Sequence, residues 1–196
     1  MTPVATLLAL LAATLLYSIL RYHIFGDIPW AQLPLFVLNK AISWTALALL
    51  ALAYLRRDKP TARDLGVLGL FLTGAHIAMS LAILNPGYYA KLYSGARLTA
   101  LGEASLLAGI AAATVLALPA MATLPGMRTA LGDTRWLRWQ RAGYWTLALT
   151  ALHCALLGWS GWFTPANWPG KLPPITLLSF LIALAPLLWK LRPRTR

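Results

Sequence analysis

The stretch 65-LGVLGLFLTGAHIAMSLAIL-84 runs for 20 residues without a formal charge, and His76 is its one ionisable side chain. As an α-helix it would extend ~30 Å, about the thickness of a bilayer's hydrocarbon core. A closed helix is the natural conformation there, because lipid offers no partner to open backbone groups. A costly imidazole at mid-depth marks a candidate functional position.

Working outward, five further apolar runs occupy about 4–20, 33–55, 98–121, 139–159 and 174–191. The short alternating segments of a β-barrel are absent. The pattern predicts an all-α integral membrane bundle of six transmembrane helices forming one domain over 1–196. Composition agrees: 59% of residues are hydrophobic and 11% charged, against roughly 25% charged in a soluble domain. Six spans leave no room for a separate soluble catalytic unit. The first run lacks a basic leader and a small-residue cleavage pattern, so it is expected to be a retained helix.

The net charge of +12 would suggest a nucleic-acid partner in a soluble protein. Here the basic residues lie between apolar runs, so membrane lipid is the expected partner and nucleic acid is not. Arg56, Arg57, Lys59 and Arg63 follow the second run. Arg128, Arg135, Arg138 and Arg141 precede the fifth, and Lys190, Arg192, Arg194 and Arg196 end the chain. The other side has Arg21, Lys91, Arg97 and Lys171. This asymmetry predicts that both termini are cytoplasmic. Trp30, Tyr88, Tyr89, Tyr93, Trp159, Trp162 and Trp168 then read as an outer aromatic belt, with Trp136, Trp139 and Trp189 at the inner face.

His76 and His153 each lie 9 residues before an outer helix end, at Asn85 and Trp162. Both imidazoles therefore sit about 13 Å below the outer surface. Two helices offering imidazoles at one depth is what a bis-histidine haem requires. Gly74, Ala75, Ala78 and Ser80 around His76, and Ala151, Ala155 and Gly158 around His153, would admit a flat macrocycle or simply close helix packing. From the pair alone, haem ligation, a hydrogen-bonded structural role and another metal stay open. Thr73 and Thr150, three residues before each histidine, and main-chain carbonyls of the same helices are the candidates to orient the rings.

Lys40 and Glu103 fall in outer halves of helices. They could pair, Lys40 could snorkel outward, or Lys40 with Arg97 and Lys91 could meet haem propionates. His23 reads as a solvated loop residue. Cys154, the one cysteine, reads as packing. There is no Gly-rich nucleotide loop, Cys cluster or Ser–His–Asp spacing, so any electron donor must be a quinol, a flavin or a partner protein.

Arg63-Asp64-Leu65-Gly66, with His76 eleven residues after Leu65, resembles the third-helix signature of the ferric reductase-like transmembrane superfamily. The run from Leu118-Pro119 through Leu131-Gly132 and Trp136 to Arg141 and Tyr144 is similar to that family's approach to its fifth helix. In family members with two haems, an inner histidine stands four residues after the Trp and thirteen before the outer one. Gln140 occupies that inner place here, and the matching inner place on the third helix falls near Ala62. The resemblance implies one haem b near the periplasmic face, with His76 and His153 as iron ligands.

By size and helix count the chain looks like the branch of bacterial inner-membrane subunits that pass electrons to a periplasmic methionine sulfoxide reductase. The expected function is transmembrane electron transfer from a quinol or flavin reductase donor to a periplasmic reductase partner or soluble acceptor. Gln140 and His153 would be ~20 Å apart along a straight helix. A quinone or flavin near Trp136, Gln140 and Arg141 is therefore expected to bridge that distance. Two other classes stay in view: a small transporter or channel using the intramembrane His, Glu and Lys residues, and a cofactor-free assembly subunit.

Overall fold

The computed structural model describes residues 1–56 and 58–192. Arg57, Arg194 and Arg196, counted above among the orienting basic residues, lie outside the described residues. The backbone is almost wholly helical: α1 (Pro3–Ile19), α2 (Leu38–Leu55), α3 (Lys59–Ala82), the short α4 (Pro86–Tyr89), α5 (Ala100–Ala122), α6 (Met127–Arg141), α7 (Gly143–Trp162) and α8 (Ile175–Leu191). Among the described residues, strands are confined to the small hairpin Tyr93–Ser94 and Arg97–Leu98. The all-α expectation holds.

Five segments are long and apolar enough to cross a membrane: Pro3–Ile24, Trp30–Leu55, Pro60–Ala82, Ala100–Ala122 and Pro169–Leu191. α7 is 20 residues long, but its glycines, tryptophans and His153 leave it outside that apolar set.

Local chemistry sets the boundaries. Pro60 fits the first turn of α3, where its missing N–H costs nothing, so the helix begins at Lys59 rather than at 65. Thr99 caps α5 by accepting from the Gly102 N–H at 3.1 Å. The expected fifth run from 139 divides in two. Its start belongs to α6, which kinks at Gly132 (φ 69°) and ends at Arg141; α7 begins at Gly143. Arg128 and Asp133 form an exposed ion pair on α6 (2.6 Å), and the guanidinium holds the Asp133 carboxyl below its ordinary range.

The helices pack as an open curve. α2 lies between α1, α3 and α8; α8 continues to α7, and α7 to α5. α3 and α5 meet only sparsely, and α3 and α7 are not a packed pair. A polar seam joins α1 to α2: Thr14 and Thr45 share a 2.7 Å hydroxyl contact, and Thr14 also donates to the Ala41 carbonyl. Small hydroxyl residues of this kind allow close approach inside lipid. Leu47, Leu147, Ala151 and Ala183 form the buried junction of α2, α7 and α8.

Two of the expected small positions prove to be packing positions. Ala151 is in that junction, and a Cβ on Gly158 would collide with Thr176 and Trp162. Trp162 leaves the expected belt as well: it is only 6% exposed, and its indole donates to Thr176 Oγ1 at 3.0 Å. Trp30 and Trp159 are exposed as the belt requires.

Candidate functional site

His76 projects from α3 toward α2. Its Nδ1 lies 2.7 Å from Asn39 Oδ1, while Asn39 Nδ2 donates to Ser80 Oγ at 2.9 Å. With the amide oxygen facing His76, as placed, the bond has Nδ1 donating to Asn39 Oδ1. Ser80 Oγ stands a further 3.3 Å from the same nitrogen. Asn39 is 1% exposed, which makes this support rigid.

His153 is held the same way by different atoms. Its Nδ1 is 2.7 Å from the Ser105 carbonyl on α5, with Ser105 Oγ at 3.3 Å. A carbonyl only accepts, so this Nδ1 is also protonated. The ring lies across Gly109: a Cβ there would be 3.1 Å from Nδ1 and 3.2 Å from Cε1.

Both imidazoles are thus anchored through Nδ1, and neither Nε2 has a hydrogen-bond partner among the described residues. A second nitrogen tied to a carbonyl or amide oxygen is the usual support of a metal-ligating histidine. The orienting residues are Asn39, Ser80 and Ser105, not Thr73 and Thr150. Thr73 turns its hydroxyl back to the Gly69 carbonyl at 2.8 Å, in its own helix. Asn39 was legible as a strongly polar side chain in an apolar run. The Ser105 carbonyl carries no sequence signal at all.

The two rings come from helices that do not pack on each other, yet they lie within electrostatic range. On the α3 side, Gly74 and Ala78 are exposed, and a Cβ on Gly74 would meet nothing within 4 Å. No group of three or more His, Cys, Asp or Glu side chains is assembled among the described residues. Two imidazoles without a third protein ligand suit an iron whose other four donors come from a macrocycle, rather than a bare ion needing three or four protein ligands.

A cation lies beside the pair. Lys40 follows Asn39 on α2, and its Nζ lies 4.2 Å from the centre of Phe36, with Tyr22 at 5.5 Å and Tyr89 at 5.6 Å. Burial pushes the Tyr89 phenol above its ordinary value, so it stays neutral in this cage. Lys40 makes no ion pair with Glu103: the one ion pair among the described residues is Arg128–Asp133. Glu103 is exposed in the first turn of α5. Lys40 is partly buried, with its ammonium against the three rings. Arg21 and Lys91 add positive charge within range. Two features of the chain are ones a haem site would use: two imidazoles anchored through Nδ1, and a cation without a carboxylate partner among the described residues within electrostatic range of His76. Arg97 is exposed on the hairpin.

The three residues expected at an inner carrier site have these surroundings. Trp136 donates its indole N–H to the Ala122 carbonyl at 2.9 Å and is covered by Arg128. The main-chain carbonyl of Gln140 accepts from the Tyr54 hydroxyl at 2.9 Å. Only Arg141 lines the nearby recess. His23 is not solvated: it stacks on Trp30 at 4.3 Å and contacts the Ile28 carbonyl through Nδ1. Cys154 is buried, as expected for packing.

No protein-family model matches the chain, and no curated protein matches it.

Proposed function

We propose that this chain is a six-span, ferric reductase-like carrier of electrons across a bacterial inner membrane, with one haem b ligated by His76 and His153. The observation that carries the reading is the matched pair of Nδ1-anchored imidazoles with free Nε2 atoms. Held by these two imidazoles, a b-type haem would supply a one-electron ferric/ferrous couple. Asn39, Ser80 and Ser105 orient the rings. Lys40 and Arg97 are the residues assigned to its propionates.

With both termini cytoplasmic, the reading assigns the donor to the inner side, as a quinol or a flavin reductase. The acceptor is assigned to the periplasmic side, as a reductase partner or a soluble acceptor. A quinone or flavin as second carrier is assigned near Trp136, Gln140 and Arg141.

The test is the visible spectrum of the purified protein, oxidised and dithionite-reduced, with haem quantified per chain. A reduced b-type spectrum with about one haem per chain is expected. It should be lost in His76→Ala and in His153→Ala, while both variants keep the wild-type elution profile. A wild type that stays colourless after haem is supplied overturns the proposal.

Asn39→Ala should weaken haem retention by about 10–100-fold, the usual cost of removing a ligand's support. Titration of haem into the stripped variant measures it. Wild-type affinity would mean that Ser80 alone orients His76.

A further inference from the structure

At the inner end of the bundle, a recess of about 600 Å³ lies where α6, α7 and α8 meet. Three cations from two elements border it: Arg138 and Arg141 from the last turn of α6, and Lys190 from the last turn of α8. Among the described residues none pairs with a carboxylate, and Asp133, the one acid on α6, is taken by Arg128. Lys190 instead rests its Nζ 4.1 Å above the ring of Tyr144. The floor is apolar, from Leu118, Ala148 and Leu187.

The surroundings face lipid. Trp145 on the rim is 71% exposed, Leu188 60% and Leu191 78%. A soluble phosphate would leave the apolar floor unused, and an acidic protein would have to cover side chains that belong in hydrocarbon. An amphiphile with a phosphodiester head and an acyl tail satisfies both parts at once. Basic pockets between helices at the cytoplasmic surface are suited to such headgroups.

We infer that this recess is a specific binding site for an anionic phospholipid, with its phosphate on Arg138, Arg141 and Lys190 and an acyl chain along Leu118, Ala148 and Leu187. The site is independent of the histidine pair, and it accounts for why these cations converge instead of spreading along the surface.

The full-length protein, exchanged into an equal mixture of phosphatidylglycerol and phosphatidylcholine and then delipidated with mild detergent, should retain phosphatidylglycerol, read by native mass spectrometry. Arg138→Gln/Arg141→Gln/Lys190→Gln should weaken that retention by about a hundredfold. The control Arg128→Gln/Arg135→Gln removes charge outside the recess and should retain lipid as the wild type does. Should the triple variant fail to insert, Ala148→Trp tests the same site by filling the floor with every charge intact, and it too should lose the lipid. Inorganic phosphate in excess should not displace it. Wild-type retention in the recess variants, equal loss in the control, or displacement by free phosphate would each overturn the assignment.

Discussion

A Gly109→Leu chain is expected to fold and insert but to retain no haem. In a helix interior, glycine is ordinarily the poorer residue by about 1 kcal/mol relative to alanine, so larger side chains at 109 favour α5 itself. What opposes them is the imidazole of His153, whose Nδ1 and Cε1 lie 3.1 and 3.2 Å from where a Cβ would stand. An alanine needs the ring to shift by a few tenths of an ångström, and Gly109→Ala should keep most of its haem. A leucine takes the volume of the ring and breaks its bond to the Ser105 carbonyl. The readout is the ratio of haem to protein, with the elution profile and thermal unfolding showing that the bundle persists. Full haem content in Gly109→Leu would mean that this orientation of His153 is not the ligating one.

The second large effect is on stability. Gly143→Leu should lower the unfolding midpoint in detergent by about 5 °C or more, from overpacking of at least ~1–3 kcal/mol. Tyr54 crosses the start of α7 here, and its hydroxyl occupies the space a Cβ on Gly143 would need. The phenol cannot simply withdraw, because it donates to the Gln140 carbonyl and packs on Tyr144 at 4.8 Å. Combining Gly143→Ala with Tyr54→Ala should cost less than the separate losses added together, the mark of two residues sharing one space. Additive losses by intrinsic fluorescence would refute the clash.

The sequence read well where one residue type forces one outcome. Runs of apolar residues left the helix as the only conformation, and all six expected runs are helical over most of their length. His76 and His153 were visible because an imidazole among leucines has no ordinary reason to be there. The supports were harder. Whether His76 leans on Thr73 or Asn39 depends on how α2 is rotated against α3, which no single-helix pattern encodes. His153 rests on a main-chain oxygen, and every residue has one. Lys40 was legible as a costly charge, but its partners turned out to be rings gathered from three separated positions rather than the carboxylate of Glu103. At the inner end, the break between α6 and α7 was not legible in the run from 139, and the Trp136 indole is bonded to the Ala122 carbonyl.

At the outer end, α1 is fastened to the segment entering α8. The guanidinium of Arg21, 8% exposed, donates to the Leu172 carbonyl, and the Tyr17 hydroxyl donates to the Pro173 carbonyl at 2.7 Å. These partners are separated by more than 150 positions in the chain. During synthesis Arg21 is therefore made long before Leu172, its acceptor. The clasp closes a loop of about 150 residues, so the outer end of α1 is held by one of the most distant contacts in the fold.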